Sequence, residues 1–177
     1  MTHEMKIAYV REAAHSVFAT MLGVELTDCE PAREEEAPLH GEGIVGLVGL
    51  AGDWAGTGAF RCSAAMAMKI SGLLLMQDFP SVDQEVLDAI GEITNMVLGN
   101  VKTSFEAVLG PMGLSIPTVI YGRNFVTRSV GRSEWTVVPF RLDGEVIEIQ
   151  VSLAPGRNRS ADGAARGRLS TVLTMEG

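Results

Sequence analysis

Glu134-Trp-Thr-Val-Val-Pro-Phe-Arg-Leu142-Asp143-Gly144-Glu145-Val-Ile-Glu-Ile-Gln-Val-Ser-Leu153 decides the fold. Asp143-Gly144 is a strong two-residue hairpin signal, because both residue types tolerate the left-handed backbone of a tight turn between twisted strands. Residues 134–142 and 145–153 therefore read as antiparallel strands. In the second, Ile147, Ile149, Val151 and Leu153 alternate with Glu148, Gln150 and Ser152, which predicts one buried face and one wet face. Upstream, residues 114–121 read as a further strand. Two apolar, glycine-rich stretches, 44–51 and 55–62, flank Gly52-Asp53-Trp54 as another hairpin.

Helices account for most of the remainder. Over 5–22, Ile7, Val10, Ala14, Val17, Phe18 and Met21 recur at helical spacing, and Gly23 stands where a C-terminal cap belongs. Residues 63–76, rich in Ala, Met and Leu, read as a buried helix with Met66, Met68 and Met76 in its core. Ser81 and Gln84 form a capping-box signature for a helix over 82–109, stopped by Gly110-Pro111. At roughly 1.5 Å per residue that helix would be about 42 Å long. The order of helix, hairpin, helices and strand meander predicts an α+β domain over 1–153, with helices packed on one face of an antiparallel sheet. Residues 24–43, with the acidic run Glu34-Glu35-Glu36, read as a solvated loop. The composition of 154–177, dominated after Pro155 by Gly, Arg, Ser and Ala, reads as a mobile tail with a short ordered end around 169–173.

Composition removes several function classes. The formal charge is −8, from 14 basic and 22 acidic side chains. Nucleic-acid binding draws on neutralised phosphates, so an acidic chain without a basic stripe argues against it. No apolar run approaches the roughly 18–20 residues that span a bilayer, and the start lacks the layout of a signal peptide. Cys29 and Cys62 are too few for a disulfide framework and wrongly spaced for zinc, and His3, His15 and His40 are scattered, so no metal or cofactor held by the chain is expected. A cytoplasmic protein is expected. Gly41-Glu-Gly43-Ile-Val-Gly46 matches a dinucleotide-binding string but runs into a strand instead of opening a helix. Asn158-Arg-Ser160 fits a glycosylation sequon, idle without secretion.

The chemistry concentrates on the 82–109 helix. At about 100° per residue, Val86, Ile93, Val97 and Val101 fall within roughly 60° of Ile90 and form a core stripe. Asp88, Glu92, Asn95 and Gly99 fall on the opposite side. Glu92 and Asn95 are i, i+3 neighbours, so their side chains leave the helix together. Gly91 and Gly99 each cost about 1 kcal/mol of helix stability relative to Ala, and would offer a low surface for another molecule's backbone.

The segment Asp88-Ala-Ile-Gly91-Glu92-Ile-Thr-Asn95-Met-Val-Leu-Gly99-Asn100 resembles the active-site helix of the CheC/CheX/FliY phosphatases. Their pattern sets Asp or Ser, then Glu, then Asn on one helix, with a Pro farther on. Here Pro117 follows Asn95 after 21 intervening residues. The stretch Val10-Arg-Glu12-Ala-Ala-His15-Ser-Val-Phe-Ala-Thr-Met-Leu-Gly-Val-Glu25 also resembles the opening helix of CheX. The resemblance covers 1–153 and implies a CheC-like fold that removes the phosphoryl group from an aspartate of a CheY-type response regulator. It gives Asn95 the task of orienting the attacking water and Glu92 that of anchoring the regulator's lysine. Asp88, Gly91, Glu92, Asn95 and Gly99 become the partner-binding face, Mg2+ belongs to the regulator, and two copies pair as a homodimer. CheC carries a second Glu-x-x-Asn on its first helix, where this chain has Glu12-Ala-Ala-His15. One functional motif is the reading, with His15 a solvated side chain. A different class stays open: a non-catalytic module of the same fold that binds a response regulator or a flagellar switch component.

Overall fold

Asp143 and Gly144 both take left-handed backbone angles, φ 49° and 88°, so the strand Trp135–Leu142 returns at once as the strand Glu145–Pro155. The structure, a computed structural model, describes residues 1–34, 40–129, 134–156 and 171–175. Glu35, Glu36, the Asn158–Ser160 sequon and most of the 154–177 segment lie outside them.

In chain order the elements are α1 (His3–Val17), which continues as a π-helical turn (Phe18–Leu22), β1 (Thr27–Asp28), β2 (Ala32–Glu34), β3 (His40–Gly52) and β4 (Trp54–Cys62). There follow α2 (Ala64–Leu75), α3 (Gln84–Leu109), β5 (Met112–Leu114), β6 (Thr118–Ser129), β7 (Trp135–Leu142), β8 (Glu145–Pro155) and β9 (Thr171–Met175). The strands form one antiparallel sheet in the order β1-β7-β8-β4-β3-β6-β9, with β2 also on β7 and β5 also on β3.

All three helices share one hydrophobic core with Ile44 and Val48 of β3, Phe60 of β4, Val138 and Phe140 of β7, and Ile147, Ile149 and Val151 of β8. This is the α+β arrangement with helices on one sheet face. Glycine sets how closely α3 can lie on the strands. A β-carbon on Gly46 would fall 2.0 Å from Thr94 Oγ1, and one on Gly58 would fall 2.8 Å from Leu98 Cδ2. The glycines at 46 and 58 thus serve helix–sheet contact, and the 41–46 glycine string lies in β3 without a following helix. Around this core, α1 packs on α3 through an edge contact of Tyr9 with Phe105, and α2 is tied to the β7–β8 turn by Lys69–Asp143 and Ser63–Glu145.

Several expectations are corrected. Residues 24–34 are not loop throughout: β1 and β2 pair with β7, using a partner more than a hundred residues away. Strand β6 runs to Ser129, while 112–114 forms the separate β5. Met21 is exposed and Leu22 buried, because the wider π turn brings the latter round to the core. Met76 ends α2 in the left-handed region and is 92% exposed, whereas Met66 is buried and Met68 packs at the core's margin. The second face of β8 is not wet: Gln150 and Ser152 are buried, flanked in register by Val137, Ala59, Trp135 and Thr57. A strand residue takes its burial from its surroundings as well as from its own strand's alternation. The 169–173 expectation meets β9 at Thr171–Met175, paired with Phe125–Ser129 of β6.

Candidate functional site

Helix α3 starts at Asp83, whose Oδ1 accepts a hydrogen bond from the Val86 amide at 3.0 Å. The cap is therefore Asp83 and not Ser81. A carboxylate immediately before the first helical residue both satisfies an orphan amide and opposes the positive end of the helix dipole. From this start, helical periodicity buries Val86, Ile90, Ile93, Val97 and Val101 and leaves Asp88, Glu92 and Asn95 exposed on the other side. The apolar stripe thus orients the polar one.

Asp88 Oδ1 accepts from Gln84 Nε2 at 2.8 Å, one turn earlier. Among the described residues, Glu92 and Asn95 have no hydrogen-bond or ion-pair partner in their side chains. Gly91 is not a bare surface. It is buried, and a β-carbon there would lie 3.5 Å from Val119 Cγ2 and 3.8 Å from Pro117 Cγ. Gly99 is half-buried, with Leu114 Cδ2 3.9 Å from its β-carbon position.

These contacts frame an open groove of about 550 Å³. Its lining is Gln84, Leu87, Asp88, Gly91 and Glu92 of α3, with Pro117 and Val119 opposite. Asn95 stands one turn farther along α3, outside the lining, and Gly99 one turn beyond that. The structure so brings Asp88, Gly91 and Glu92 together and carries Asn95 on the same exposed face. Leu87 and Val119 were not legible as site residues; Gln84 could have been found from its i, i+4 spacing to Asp88. The lining holds two carboxylates and no cation, so its field favours a positively charged group of a partner.

His15, the last residue of Glu12-Ala-Ala-His15, is used for structure. His15 Nε2 lies 2.8 Å from Asp28 Oδ1, its ring meets Phe140 edge-on, and Arg11 Nε approaches Asp28 Oδ2 at 3.1 Å. His15 is therefore not simply solvated; it ties α1 to β1. Among the described residues there is no group of three or more His, Cys, Asp or Glu able to hold a metal ion, and no helix is long and apolar enough to cross a membrane.

A family model described as Chemotaxis phosphatase CheX matches residues 44–141, more than half of the chain. The CheY-P phosphatase CheX of Thermotoga maritima is 27% identical over 120 residues, which cover 66% of this chain and 77% of that protein. Among solved structures, the CheX-CheY-BeF3-Mg+2 complex from Borrelia burgdorferi matches with a TM-score of 0.71 and 27% identity, covering 84% of this chain and 97% of that one. The chemotaxis protein CheX from Desulfovibrio desulfuricans matches with a TM-score of 0.74 over 84% of this chain and 99% of that one, and at 22% identity it speaks for the fold alone. With its antiparallel sheet, its three helices on one face and this match, the chain belongs to the chemotaxis phosphatase CheX family.

Proposed function

We propose that this chain hydrolyses the aspartyl phosphate of a CheY-type response regulator, with Asn95 orienting the attacking water and Glu92 pairing with a lysine of the regulator. The family makes a response-regulator phosphatase of the chain; the residue roles are the proposal. One observation carries them: Glu92 and Asn95 leave neighbouring turns of a rigid helix, exposed opposite its core stripe, with their polar atoms uncommitted to any described residue.

The residue types suit the reaction. Phosphoryl transfer passes through a loose transition state, so placing the water in line matters more than removing its proton. A neutral carboxamide both donates and accepts hydrogen bonds, and can hold water without repelling it from an anionic phosphoryl group. Glu92 in the acidic groove complements a lysine, and the complementarity steers the complex into register. Mg2+ in this reading sits on the regulator, beside the phosphoryl group, and the site is complete only in the complex. Asp88 and half-buried Gly99 complete the docking face, while Gly91, buried against Pro117 and Val119, lines the groove beneath it. Cytoplasmic residence and pairing of two copies belong to the same reading.

The test is the lifetime of the phosphorylated regulator. CheY-type receivers are charged with acetyl phosphate, freed of excess donor and followed with catalytic amounts of this chain. Accelerated decay with turnover is the expected result. Stoichiometric binding without acceleration would establish the non-catalytic module instead.

A further inference from the structure

The groove has two unlike walls. Gln84, Asp88 and Glu92 make one side polar and acidic, whereas Pro117 and Val119 make the other apolar. Along the chain, exposed apolar or aromatic side chains stand on both sides of the 117–119 wall. Ile116, next to Pro117, is 87% exposed, and Tyr121 is 51% exposed. Tyr121 lies two residues past Val119, on the same face of β6.

Ile116 is presented by an anchored backbone. Ser115 N donates to Gly49 O at 2.9 Å, Gly49 N donates to Ser115 Oγ at 2.8 Å, and Ser115 Oγ donates to Ile116 O at 2.8 Å. The residue is thus pinned to β3 while its side chain stands in water. Exposed isoleucine forfeits the burial that its side chain gains elsewhere. A preorganised apolar side chain, however, loses little freedom on docking. A protein interface typically covers about 800 Å² per partner, so a partner seated on Glu92 extends past Pro117.

We propose that Ile116 and Tyr121 are specificity contacts: they dock against an apolar patch of the CheY-type receiver that flanks its phosphorylation site, and supply affinity and register, not chemistry. The proposal rests on the phosphatase reading above and names how that partner is held. The receiver is favoured over a second copy of the chain because the apolar strip is continuous with the acidic groove, which calls for a cationic partner.

The experiment compares wild type with Ile116→Ser, Ile116→Leu, Tyr121→Ala and Asn95→Ala. Steady-state dephosphorylation of acetyl-phosphate-charged receiver is measured alongside titration of the same receiver held in its beryllofluoride–Mg2+ form. Truncated anchor residues weaken protein interfaces, so Ile116→Ser and Tyr121→Ala are expected to raise both KM and Kd about five- to thirty-fold, with kcat within about twofold. Ile116→Leu keeps the apolar contact and stays near wild type. Asn95→Ala shows the opposite split, with kcat lost and Kd kept. Unchanged KM and Kd in Ile116→Ser and Tyr121→Ala, beside an active wild type, overturns this proposal alone. Loss of kcat at unchanged Kd in those two variants also overturns it. A wild type that neither binds nor dephosphorylates any receiver overturns the phosphatase reading and this inference with it.

Discussion

Pro117 lies against Gly91: its Cγ is 3.8 Å from the position of a β-carbon on that glycine, although 25 residues separate the two in the chain. The proline of the sequence pattern therefore forms the wall opposite Glu92. Both distances at Gly91, 3.5 Å to Val119 and 3.8 Å to Pro117, are ordinary van der Waals contact. Gly91→Ala should consequently fit, and relief of the glycine's helix penalty should stabilise the fold by about 0.5–1 kcal/mol. Thermal melting checks this; a lower Tm would mean that the 117–119 segment leaves no room for a methyl group on the helix.

Asn95→Ala should abolish acceleration of acyl-phosphate decay with little effect on the fold. The side chain is exposed and has no partner among the described residues, so truncation should change stability by no more than about 0.5 kcal/mol. Phosphoryl-decay kinetics and a urea melt on the same sample provide the check. Full activity in a folded variant would remove Asn95 from the mechanism.

Glu92 should govern affinity as well as turnover. An exposed ion pair is worth about 0–1 kcal/mol, whereas truncating one desolvated at an interface can cost about 2–5 kcal/mol. Affinity for the beryllofluoride-bound receiver should fall in the order Glu92, Glu92→Gln, Glu92→Lys, with the differences shrinking as salt rises. Equal affinities across the series would show that Glu92 meets no cation.

Gly46→Ala should destabilise the fold by about 1–3 kcal/mol or more, because buried Thr94 stands where the new methyl group must go. Thr94 is held there by its own hydrogen bond, Oγ1 donating to Ile90 O at 2.7 Å. Urea unfolding should show a lower midpoint at an unchanged slope. An unchanged midpoint would contradict the close approach of α3 to β3.

The two thiols should differ in reactivity. Burial, reinforced by the charge of Glu145, pushes the Cys62 thiol up to about 12. A raised thiol pKa means that the protonated, unreactive form persists: at pH 8 the thiolate fraction would be about 10⁻⁴. Cys29 is half-exposed. A disulfide reagent at pH 8 should modify Cys29 alone in the native protein and both thiols in urea. Rapid modification of two thiols in the native state would show that Cys62 is accessible.

What the chain determined by itself is what local geometry controls. The Asp143-Gly144 turn, the length of α3, and the placing of Glu92 and Asn95 opposite Val86, Ile90 and Ile93 all depend on residues within a few positions of one another. Helical period and left-handed turn propensity act over that range, so they are legible in sequence. Only the tertiary structure decided the rest. Short β1 and β2 exist because β7 offers them backbone partners, and Gln150 is buried between Val137 and Ala59 from neighbouring strands. His15 is claimed by Asp28, thirteen residues on, and the wall facing Glu92 comes from Pro117 and Val119. These are pairings between distant segments, and no period within one segment encodes which distant residue will face it.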